Sequence, residues 1–160
     1  MKPILILCSL LLLAGCGGGG GGGDESPSAP LLGAMNGNMN VTAVEVLTQN
    51  PTSTASISFR VGATFTGTVK PDAPSFDIPL VMWRVDDTSM SPDAATHGSL
   101  AFALSTGTAA SGVWTGSGTV TMPRQPAGDH VFGAATMPDK VFDYVGSWTS
   151  GVTAIVSIAP

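Results

Sequence analysis

The chain has 160 residues, 43% of them apolar and only 11% charged, with a formal net charge of −5. Arg60, Lys70, Arg84, Arg124 and Lys140 are scattered singly, which excludes the clustered positive charge that nucleic-acid binding rests on. Cys8 and Cys16 are the only cysteines, so no disulfide, Cys-based zinc site or iron–sulfur cluster can form beyond residue 16.

Lys2 supplies a positive n-region, Ile4 to Leu13 is an apolar h-region, and Leu13-Ala14-Gly15-Cys16 closes the segment. It is too short for a permanent membrane span and has the layout of a secretory signal. The four closing residues resemble the lipobox of bacterial lipoproteins. That resemblance implies cleavage between Gly15 and Cys16, loss of residues 1–15, and acylation of Cys16 with more than one chain, the number that stable anchoring needs. Gly17 stands where an Asp marks retention in the inner membrane, so the implied address is the outer membrane, facing periplasm or exterior. Loss of Lys2 leaves five basic against eleven acidic residues, and an anionic lipid surface repels such a domain.

Gly17 to Gly23 is an unbroken glycine run, followed by Asp24-Glu25-Ser26-Pro27-Ser28-Ala29-Pro30. It has almost nothing apolar to bury against the entropy of ordering. With Asn36-Gly37-Asn38-Met39-Asn40, residues 16–40 read as lipid anchor and flexible linker, a coil of roughly 25–30 Å root-mean-square reach. Leu31-Leu32 interrupts the polarity and could dock on the domain that follows.

Residues 41–160 read as one β domain. Val41 to Thr48 is β-branched, and Asn50-Pro51-Thr52-Ser53 is a turn signal. Ile57, Phe59, Val61, Ala63, Phe65 and Val69 then alternate with Ser58, Arg60, Gly62, Thr64, Thr66 and Thr68, the pattern of a strand with one wet face. This run from Ala55 to Val69 exceeds an ordinary strand, which predicts a bend or bulge near Gly62. Ile78 to Val85 is apolar on both faces, as a central buried strand would be. Leu100, Phe102 and Leu104 mark another strand; Trp114, Val120 and Met122 the next; Val131 to Met137 a further one. Val141 to Trp148 and Val152 to Ile158 predict a closing hairpin over Thr149-Ser150-Gly151. No window carries capped helical periodicity. The expected fold is all-β, a sandwich of seven or eight antiparallel strands.

Val81-Met82-Trp83-Arg84-Val85 resembles the third strand of immunoglobulin-like and fibronectin-type-III-like domains, where a Trp fills the core. Pro126-Ala127-Gly128-Asp129-His130-Val131-Phe132 is similar to their turn into the sixth strand. The resemblance implies a buried Trp83. The chain departs from it in having no disulfide pair and in placing His130 or Phe132 where the tyrosine corner would sit.

No catalytic signature is present: no His-Glu-x-x-His, Walker loop, Cys-x-x-Cys or Gly-x-Ser-x-Gly. Gly116-Ser117-Gly118 reads as small residues beneath a bulky neighbour such as Trp114. A hydrolase would need a serine or carboxylate held beside His97 or His130. Asp86, Asp87 and Asp93 in the loop 86–93 offer oxygens for Ca²⁺, but in no EF-hand spacing, and a solvated turn is the preferred reading. His97, His130, Met90, Met122 and Met137 are too dispersed for a copper site. Phe142, Tyr144 and Trp148 share parity and could form an aromatic face for a glycan or protein partner. The expectation is a non-catalytic envelope lipoprotein without cofactor, acting as a structural or binding module. The alternatives are a glycan- or metal-binding domain and a periplasmic hydrolase.

Overall fold

The computed structural model describes residues 31–87, 95–149 and 151–160. Eight strands follow in chain order: β1 (Ala34–Val46), β2 (Ile57–Lys70), β3 (Ser75–Arg84), β4 (Thr96–Thr108), β5 (Ser111–Met122), β6 (Gly128–Thr136), β7 (Asp143–Thr149) and β8 (Thr153–Ile158). A 3₁₀ turn at Pro138–Lys140 precedes β7, and there is no α-helix among the described residues. All eight strands join one hydrogen-bonded sheet in the order β7-β1-β2-β5-β4-β3-β6-β8. Every pairing is antiparallel except β1 with β7, so the sheet is mixed.

The sheet curls, bringing β1 against β6 and β8, and its concave side holds the core. Alternation on β2 places Ile57, Phe59, Val61, Ala63, Phe65 and Val69 inside, in the phase the sequence predicts. The irregularity expected near Gly62 lies across the ladder instead. Thr42 of β1 is the extra residue, between the pairs Val41–Ala63 and Ala43–Gly62, while β2 keeps a regular register with β5. A second bulge at Ser105 interrupts β4, and its hydroxyl donates to the Val113 carbonyl at 2.8 Å.

One aromatic cluster fills the middle of the core. Trp114 lies 5.3 Å from Phe65 and 6.0 Å from Phe76, and Phe76 stacks on Phe102 at 5.3 Å and meets Phe142 edge-on at 5.5 Å. The buried indole N–H donates to the Ala73 carbonyl at 3.2 Å, which satisfies its polar atom. Gly116 makes room for this cluster: a Cβ there would meet the Phe102 ring at 2.7 Å. The bulky neighbour is therefore Phe102 rather than Trp114.

Three expectations are corrected. The first strand begins at Ala34, not Val41, so Asn36-Gly37-Asn38-Met39-Asn40 is strand, with Met35 and Met39 fully buried. Asn and Gly are poor strand formers, yet here Gly37 is needed: it pairs with Gly67, and a Cβ on either would press on the Phe65 ring at 2.9 Å. Trp83 is not the core tryptophan. On β3 the even positions Phe76, Ile78, Leu80 and Met82 face inward, which puts Trp83 on the outer face, half-buried. The closing hairpin does not form, since β7 pairs with β1 at one end of the sheet and β8 pairs with β6 at the other.

The swap of tryptophans is measurable. Trp114→Ala should cost about 3–5 kcal/mol in a denaturant melt, and Trp83→Ala no more than about 1–2 kcal/mol. A larger loss at Trp83 than at Trp114 would contradict the inward phase of β3.

Candidate functional site

Gly15 and Cys16 lie outside the described residues, as does Asp93. The aromatic face does not stand open. Phe142 is only 3% exposed and belongs to the core cluster, and Tyr144, the register partner of buried Met35, packs against the same core, so the shared parity is that of the inner face. Tyr144 is half-buried. Its hydroxyl lies 3.0 Å from the Gly37 carbonyl and 2.6 Å from that of Ser147, and burial pushes its pKa above the ordinary tyrosine value. The side chain of Trp148 is outside the described set. The open face of β7 instead carries Val145, 60% exposed, and Ser147, whose hydroxyl bonds Asn38 Oδ1 at 2.7 Å.

Asp86 and His130 meet where β3 ends and β6 begins. Asp86 Oδ1 accepts from the Val131 N–H at 2.8 Å, and Oδ2 lies 2.8 Å from His130 Nδ1. His130 Nε2 is 3.0 Å from the Pro126 carbonyl. Both ring nitrogens thus face oxygen atoms. Arg84 adds positive charge: its guanidinium bonds Asp87 Oδ2, reaches Gln125 Oε1 at 3.5 Å, and its Nε stands 3.6 Å from Asp86 Oδ2. A carboxylate does sit beside His130, and the other ring nitrogen faces the Pro126 carbonyl. The arrangement works as a clamp holding the loop before β6 to the end of β3. Asp129, adjacent in sequence, points elsewhere and accepts from the Ser157 hydroxyl. His97 is exposed on β4. Among the described residues no group of three or more His, Cys, Asp or Glu side chains is placed to hold a metal ion.

The two halves of the sheet present different outer faces. On β1, β2 and β5 the outward positions include Asn38, Thr64, Thr66, Thr115, Ser117 and Thr119, a hydroxyl and amide surface. Along β1 this face sinks into a groove of about 290 Å³, walled at one end by Lys70 and Asp143, the two register partners of Ala34.

On β3, β6 and β8 the outward positions include an apolar row, flanked by Asp77, Asp129, Thr153 and Ser157. Ile155 is 75% exposed and pairs with Val131; Val85 is 46% exposed; Trp83 and Val81 are half-buried beside them. Gly133, the register partner of Trp83, lets this layer lie close, since a Cβ there would approach Val85 Cγ2 at 3.0 Å and Trp83 Cζ2 at 3.4 Å. The run Ile78 to Val85, apolar on both faces, carried the signal. Its second apolar row is a surface, not a second core.

No protein-family model, no curated protein and no solved structure matches this chain.

The Asp86 carboxyl is held below the ordinary value of 3.8, chiefly by its hydrogen bond with His130. A lowered folded-state pKa stabilises above the unfolded value and is lost as pH falls through the folded one. Asp86→Asn should therefore flatten the loss of denaturation midpoint on acidification from about pH 5 to 3. An unchanged acid limb would show that the clamp holds nothing.

Proposed function

We propose that the chain is a membrane-tethered lipoprotein whose β domain is a non-catalytic structural or binding module of the bacterial cell envelope. The lipobox Leu13-Ala14-Gly15-Cys16 and the glycine run behind it support the tether. The observation that carries the binding role is the row of apolar side chains Trp83, Val85, Val131 and Ile155 on the outer face. A row of apolar side chains left facing water is the usual mark of an interaction surface.

The finer fold belongs to the same proposal. The order β1-β2-β5-β4 followed by β3-β6-β8 is the strand order of the two sheets of an immunoglobulin-like sandwich, taken with β8 as the seventh strand. On this reading the β3–β4 ladder stitches one corner, and β7 is an added strand on the edge of the first sheet. A second reading, glycan binding, draws support from the groove beside Lys70 and Asp143, whose wall also carries Asn36 and Thr68. Amide shifts confined to that groove on titration with cell-wall fragments would favour it.

Two outcomes test the proposal. Cys16→Ala should move the protein from the membrane to the soluble fraction while leaving its near-ultraviolet circular dichroism unchanged, because residue 16 lies outside the core. Retention on the membrane would contradict the tether. A photo-crosslinking residue placed at Val85 in cells should yield protein adducts that the same residue at Ser117 does not. Equal yields from the apolar and hydroxyl faces would remove the binding role from β3-β6-β8.

A further inference from the structure

We propose that the partner of this apolar face is a second copy of the chain, joined edge to edge through β8. The inference rests on the binding role assigned above and names its occupant. β8 ends the sheet, and among the described residues no strand pairs with its far side. Its sequence, Thr153-Ala154-Ile155-Val156-Ser157-Ile158, holds no charge and no proline, so none of the usual devices that blunt an exposed edge is present.

The open stretch has defined limits. Beyond Ile158 the edge is capped, since Ala159 N–H donates to the Pro51 carbonyl at 2.9 Å and its carbonyl accepts from Ser53 N–H at 2.8 Å. Those bonds run away from β6. Residues two apart on a strand direct their backbone groups to the same side, so Ser157, Ile155 and Thr153 offer their N–H and C=O groups to the open edge. This stretch is symmetrical in chemistry: a small hydroxyl residue, a bulky apolar one, and a small hydroxyl residue. A two-fold axis at Ile155 pairs Thr153 of one copy with Ser157 of the other and sets the two Ile155 side chains opposite each other. Such self-complementarity is what an isologous interface requires.

Charge favours the same approach. With a net charge of −5 the copies repel over most of their surface, whereas this edge is neutral. The nearest acid, Asp129, bonds Ser157, and sheet spacings set it about 19 Å from its counterpart across the axis, well beyond a screening length of about 10 Å. The pairing covers Ile155, the most exposed large apolar side chain among the described residues. It also joins the Trp83–Val131 faces of both copies into one surface. A single strand edge buries far less than the roughly 800 Å² per partner of a stable interface, so the dimer depends on the raised effective concentration that anchoring to one membrane provides.

The test uses the full-length chain in bacterial cells, oxidised with copper–phenanthroline, in three single variants: Ile155→Cys, Thr153→Cys and Val145→Cys. All three positions are at the surface, and Val145 lies on the opposite edge strand. Ile155→Cys should give a covalent band at twice the monomer mass, with Thr153→Cys and Val145→Cys at the background of the unmodified chain. A dimer from Ile155→Cys no stronger than from Val145→Cys would overturn the interface, and equal self-linking at Thr153 would overturn the register. A cross-linked species that is not twice the monomer mass would assign the edge to another protein. Fractionation of the same cells reports the tether separately, so loss of membrane association and loss of the dimer are read as distinct failures.

Discussion

The fold depends on a short covalent link between the two opposite edges of the sheet. β7 is hydrogen-bonded to β1 at one end of the ladder and β8 to β6 at the other, yet only four residue steps separate Thr149 from Thr153. Those steps reach at most about 14 Å. Laid flat, the same eight strands would hold the two edges roughly 34 Å apart. The sheet must therefore curl until its edges approach, and the concave side so created is the only place where one continuous core can sit. Without a disulfide among the described residues, this curl and the burial it permits hold the domain together.

The inward and outward residues follow from that curl. Inside, Trp114 and its neighbouring phenylalanines occupy the middle, and glycines at 37, 67 and 116 are the places where the backbone yields to their rings. The bulges at Thr42 and Ser105 lie in β1 and β4, where an extra residue sharpens local twist. Outside, the two halves of the curled sheet turn to different surroundings. The half around β2 and β5 is clothed in threonine, serine and asparagine, compatible with water. The half around β3, β6 and β8 carries valine, tryptophan and isoleucine among its outward residues.

The sequence foretold strand number and most strand phases because period-2 alternation is a local property. β2 is the clearest case. It did not foretell pairing. Thr149-Ser150-Gly151 is compatible with a hairpin, but β1 and β6 each offered a vacant edge, and edge pairing is decided by the whole sheet rather than by three residues. The phase of β3 was ambiguous for a related reason: with apolar residues on both faces, alternation does not say which row is core, and Trp83 fell on the wrong side. Asn36 to Asn40 looked like linker because its side chains are polar, although Met35 and Met39 bracket Gly37 at strand spacing. The clamp of Asp86 on His130 joins residues 44 apart in sequence, and no spacing rule connects them.

The paired edges are therefore the claim to examine first. In nuclear magnetic resonance spectra of the domain, cross-strand Hα and amide contacts should link Val131 with Ile155 and Asn38 with Ser147. That result places β8 beside β6 and β7 beside β1, and the curled sheet follows. Contacts between Val145 and Ile155, the pairing of a β7–β8 hairpin, would contradict the account and, with it, the free edge on which the proposed dimer is built.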